Sequence, residues 1–320
     1  MTRTESSSGL ELVPRRILII SGAYLVLGLF ALYVWHSASQ AFSMQVSSDS
    51  TNALSVTGMA VVELWLCVLV LRSFPSGAPL RPAWILITLS AVTRAAYAVI
   101  APVLGTYWLL NPLVWAGKAE SGLMEQIRQC ALIAGGPIEM ALLGAGLLMA
   151  LRVLRRFGFW VRPSAADWVL VGVVSLFMLY RFGEAVVASQ VGRHINTDAV
   201  IALAGYPLLC GLFLEALLLR RSIARMGRGL ATKCWAAFMI AIFITTAGQM
   251  IIWAMQRYAT SWPVAAIEWY VWFPAAVGFA LAPAYQLAAQ CRATQPASPR
   301  PAGFLTDGFQ QPRFGSTPAA

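Results

Sequence analysis

Charge is what this sequence has least of. Asp, Glu, Lys and Arg make up 11% of its 320 residues, against about 25% in a soluble domain. That scarcity excludes an ordinary globular enzyme, a nucleic-acid binder and a disordered chain. Histidine is nearly as rare: His36 and His194 are the only two, both fall beside apolar runs rather than within them, and so paired haem ligation has no candidates. H-E-x-x-H, D-x-x-x-D, G-x-S-x-G and the P-loop pattern are all missing. No metal, no cofactor, no catalytic residue and no ATP hydrolysis are therefore predicted. Neither lysine, Lys118 or Lys233, lies inside an apolar run, which excludes a Schiff-base pigment. The five cysteines form no C-x-x-C and give no disulfide pattern.

What is abundant is apolar sequence, at 59% of residues with mean hydropathy +0.69. A membrane-crossing helix needs about 20 mostly apolar residues for about 30 Å of hydrocarbon. Eight stretches qualify: 17–35, 53–71, 84–103, 130–151, 167–189, 199–219, 235–256 and 264–286. None alternates with period two, so a β-barrel is not indicated. The fold class expected is all-α, a polytopic integral membrane protein built as a single bundle of eight transmembrane helices.

The basic residues test that count. Lys and Arg on alternate flanks total 17 against 4, with Arg94 and Arg181 inside spans. Cytoplasmic flanks carry the excess, so N and C termini are both expected to be cytoplasmic. The net charge of +10 is then a topology signal that favours membrane lipids with anionic inner-leaflet headgroups as partners, with no nucleic acid. The Ala, Leu and Arg usage fits a bacterial cytoplasmic (inner) membrane. Three segments follow: a cytoplasmic N-terminal segment 1–16, a transmembrane domain 17–291, and a disordered cytoplasmic tail 292–320 holding five prolines. No cleaved signal peptide is expected; the first span reads as a retained anchor. Trp35, Trp84, Trp168, Trp235 and Trp262 fall at span ends, as an aromatic belt requires.

The longest connection, 104–129, combines an aromatic apolar part with a stretch from Lys118 to Arg128 carrying Leu123, Met124 and Ile127 at helical spacing. This predicts an amphipathic helix over the outer mouth, or else a plain connecting loop. Pro137, Pro207 and Pro274 recur at intervals of 70 and 67 residues. Their recurrence suggests helical-hairpin repeats, a device of transporter folds, although proline is frequent in membrane helices anyway.

Chemistry rests on a few polar groups inside the spans. From a rise of about 1.5 Å per residue, Glu63, Arg94 and Glu139 lie near the midplane. A charge there costs at least about 2.5–3.5 kcal/mol, so Arg94 should pair with Glu63, Glu139 or both. Arg181 and Glu184, at i and i+3, share a helix face in the outer half, where Gln249 and Glu268 also fall. Tyr97, one turn from Arg94, and Tyr180 are candidate hydrogen-bond partners. Glu215, near an inner end, has Arg220 and Arg221 close in sequence to neutralise it. Two readings of this set stand side by side: a network that fixes helix register, and a ligand or ion pathway.

The run Tyr180-Arg181-Phe182-Gly183-Glu184 and the separate Glu268-Trp269-Tyr270 resemble fragments of the fungal RTA1-like family of membrane proteins, associated with lipid translocation or sterol handling. The likeness covers eight residues from two different hairpins. That family has seven spans, and its other motifs do not occur here.

The function expected is binding or transport of a small or lipid-like molecule through an outward-facing polar cavity built on Glu63, Arg94 and Glu139. Its entrance would be lined by Arg181, Glu184 and Glu268. The alternative is a non-transporting membrane sensor or accessory subunit, with a protein partner docking on the cytoplasmic tail. An intramembrane enzyme ranks third, since it would have to work with Glu, Arg, Tyr and water alone.

Overall fold

The computed structural model describes residues 12–28, 44–110, 134–159, 162–191, 197–225, 227, 229–258 and 261–294. All of its regular elements are helical. They are α1 (12–28), α2 (Met44–Ser73), α3 (Arg81–Leu110), a π turn (Ala134–Ile138) running into α4 (Glu139–Arg156), α5 (Ala165–Val191), α6 (Thr197–Arg225), α7 (Leu230–Tyr258) and α8 (Ser261–Thr294). Each of the eight apolar stretches read from the sequence overlaps one of these eight helices. Six of them, α2, α3, α4 with its π turn, α5, α7 and α8, are long and apolar enough to cross a membrane.

The helices overrun the apolar stretches at most ends, because a helix stops where its backbone is capped and not where hydrocarbon ends. Helix α4 closes on Gly158 (φ 81°), with the Gly158 and Phe159 N–H groups donating to Arg155 O and Leu154 O, a Schellman cap. Helix α5 opens on a capping box: Ser164 N–H donates to Asp167 Oδ2 at 2.8 Å and Asp167 N–H to Ser164 Oγ at 3.3 Å. The expected mouth helix at 118–128, the tail from 295 and Trp35 lie outside the described residues. Residues 104–110 continue α3.

Packing arranges six helices in a closed ring in the order α2, α3, α4, α6, α7, α8 and back to α2, while α5 lies against α6. Helix α1 packs its Tyr24 on Phe273 of α8, ring centroids 5.0 Å apart. In lipid, apolar side chains gain nothing by hiding from the surroundings, so close backbone approach decides which helices touch. Gly248 of α7 illustrates it: a Cβ there would run into Val271 of α8. At Gly146 of α4 a Cβ would come within 3.1 Å of the Ala83 carbonyl oxygen of α3.

The tryptophans correct the belt expectation. Trp84 and Trp235 are fully buried, 6.3 Å apart, and both lie about 6.0 Å from Phe238. They form an aromatic core where α3 meets α7. Trp168, on α5, does remain exposed. Helix α7 begins at Leu230, so Lys233, read as lying outside any span, sits in its first turn.

Candidate functional site

Arg94, Glu63 and Glu139 meet. Arg94 projects from the middle of α3 and engages both neighbouring helices of the ring at once. Its Nη1 donates to Glu63 Oε1 at 2.9 Å and Oε2 at 2.8 Å. Its Nε donates to Glu139 Oε1 at 2.8 Å, and Nη2 reaches the same oxygen. The planar fork of the guanidinium suits this double service, which a lysine could not give. Depth along each helix was sufficient to anticipate the meeting.

Local sequence explains how Glu139 arrives. Ala134-Gly135-Gly136-Pro137 has no amide hydrogen at Pro137 to continue the ladder, and the turn widens to a π helix before α4 proper starts at Glu139. Gly135 lets the Tyr97 ring lie directly on this turn, since a Cβ there would overlap the ring. Tyr97 thus sits beside the cluster as a packing residue on the element that carries Glu139.

The cluster is closed. Side-chain exposure is 11% for Arg94, 3% for Glu63 and 14% for Glu139. Over the guanidinium lies Phe279 of α8, its ring centroid 3.8 Å from the Arg94 Cζ, a cation–π contact. Sequence reasoning missed Phe279. The available signal was a large ring in a stretch of α8 dominated by small residues, Ala275, Ala276, Gly278, Ala280 and Ala282.

Two carboxylates share one guanidinium, so the fully ionised cluster carries one uncompensated negative charge. Uptake of one proton or one small cation balances it. This is the chemistry that the arrangement supports without further groups.

The remaining candidates separate from this centre. Arg181 Nη1 donates to Glu184 Oε2 at 2.6 Å, and Tyr180 Oη donates to Glu184 Oε1 at 2.8 Å. That pairing follows the i, i+3 spacing, but it belongs to α5, and Arg181 lies 6.0 Å from the Tyr206 ring of α6. Gln249 is half-buried on α7. Glu268 falls in the first part of α8, where side chains lie outside the described residues, so its expected place across from Arg181 stays there too.

Glu215 overturns its expected neutralisation. Its side chain is buried against Gly144 of α4, and Oε2 has no hydrogen-bond partner among the described residues. Arg221 instead pairs with Asp167 and donates to Ser164 Oγ, tying α6 to the α5 capping box, while Arg220 is exposed. The reason is helical geometry: positions five and six residues on do not face the starting residue, whereas three and four do.

Searches against protein-family models, curated proteins and solved structures give no match for this chain.

Proposed function

We propose that this is a multi-pass membrane protein that binds or transports a small or lipid-like molecule, using Glu63, Arg94 and Glu139 as an intramembrane site that exchanges a proton or small cation. In this reading all eight helices cross the cytoplasmic membrane with both termini inside, as the distribution of Lys and Arg favours. Arg181, Glu184, Gln249 and Glu268 belong to the outer approach. Pro137, Pro207 and Pro274 lie in the π turn before α4, in α6 and in α8, consistent with a repeated hairpin.

The observation that carries the reading is the two-to-one ratio of carboxylates to guanidinium at a closed, central position. A network serving only to hold helices would be most economical as a neutral pair, because an unbalanced charge in hydrocarbon is costly. The second carboxylate is the element that a purely structural role does not require.

Native mass spectrometry of the gently extracted protein tests this. A stoichiometric small molecule that is lost from Glu139→Gln, with folded yield near that of the unmodified protein, supports the site. A bound protein partner with no small molecule replaces the proposal by the sensor or subunit reading. A Glu139→Gln protein changed only in thermal stability returns the cluster to a structural role.

A further inference from the structure

A second site lies away from the charged cluster, between α1, α7 and α8. The three helices enclose an open groove of about 530 Å³, within the roughly 300–1,000 Å³ range of ligand sites. Helix α1 contributes Leu18, Gly22 and Leu25, which share one face by their spacing. Helix α7 contributes Lys233 and Ile240, and α8 contributes Pro274 and Tyr285.

The groove is polarised along its length. Leu18, Lys233 and Tyr285 lie at one end; Leu25, Ile240 and Pro274 lie at the other, as the directions of the three helices require. Lys233 is exposed, with Nζ 5.9 Å from the Tyr285 ring centroid. Arg15, also exposed, stands three residues before Leu18 on the same face of α1. Across 12–28, Leu230–Tyr258 and Ser261–Thr294 the only acidic residue is Glu268, which lies beyond Pro274 at the opposite end. Among the described residues of the three helices, that end therefore carries cations and no carboxylate, and the rest of the lining is apolar apart from Ser21.

Its height identifies the occupant. From Pro274 to Tyr285 the helical rise gives about 16 Å, half of the roughly 30 Å hydrocarbon thickness. That is one leaflet, the depth of one acyl chain. We infer that the groove between α1, α7 and α8 binds an anionic phospholipid, its acyl chain against α1 and α8 and its phosphate at Lys233 and Arg15.

Reconstitution of the full chain into vesicles of equimolar phosphatidylcholine and phosphatidylglycerol, followed by native mass spectrometry, reads the preference directly. Retained phosphatidylglycerol should exceed phosphatidylcholine by about tenfold, given the attraction of two cations near the surface. Lys233→Gln combined with Arg15→Gln should keep a lipid but lose the preference. Gly22→Leu extends into open space in the groove, since nothing lies within 4 Å of a Cβ at that position. It should expel lipid of either class with the thermal transition retained. Glu139→Gln should leave this lipid in place, which separates the groove from the charged cluster. Equal retention of the two lipids by the unmodified chain, or a preference surviving the double substitution, overturns the assignment.

Discussion

Helices α5 and α8 are both apolar along their length, yet they occupy opposite environments. In an 18-residue stretch of α8 within Val271–Ala293, 83% of residues are buried, against 17% in the corresponding 18-residue stretch of α5 within Ala165–Glu184. What separates them is side-chain size. Helix α8 is rich in Ala and presses on α7 and α2. Helix α5 turns the larger Val169, Val173, Leu176 and Leu179 outward and meets the ring at α6. In a membrane, hydropathy reports that a helix is embedded and small residues report that it is central.

Four substitutions probe this contrast. Arg94→Leu has the largest expected effect, because it strands Glu63 and Glu139 together inside the ring. A loss of about 3–5 kcal/mol should appear as aggregated protein on size exclusion after extraction. Gly248→Leu forces α7 away from Val271 of α8 and should cost about 1–3 kcal/mol or more, read as a lowered midpoint in a thermal melt. Glu215→Met removes from the α4–α6 seam a buried carboxyl whose Oε2 has no hydrogen-bond partner among the described residues, and should raise the midpoint, by about 1 kcal/mol in stability; a lowered midpoint would mean that Glu215 has a partner that matters. Leu176→Ala, on the face of α5 that is 71% exposed at that position, should stay within about 0.5 kcal/mol of the parent. If Leu176→Ala proved as damaging as Gly248→Leu, α5 would have to be covered by another chain.

Much of this was legible in the sequence, and the divisions follow the physics. Eight apolar stretches led to eight helices, six of them long and apolar enough to cross a membrane, because a helix satisfies its own backbone in an apolar setting. The Arg94 cluster could be anticipated from depth alone, since rise per residue is fixed. Trp84 and Trp235 could not be placed the same way: rotation about the helix axis decides whether a ring meets lipid or a neighbour, and hydropathy does not encode it. Glu215 was misassigned because nearness in sequence was taken for nearness in space. The lipid groove depends on the gap between three helices, a quantity absent from any one of them.

The sharing of Arg94 also bears on how the chain is made. Synthesis delivers helices in order, so α2 and α3 can enter the bilayer as a hairpin whose Glu63 and Arg94 already cancel. Helix α4 brings Glu139 without a cation of its own at that depth and finds one waiting. Only when α8, the last of the described helices, reaches its place does Phe279 cover the guanidinium. Without Phe279 in place, the guanidinium is uncovered on its α8 side, so the two ends of the chain's described helices are coupled through one charged group.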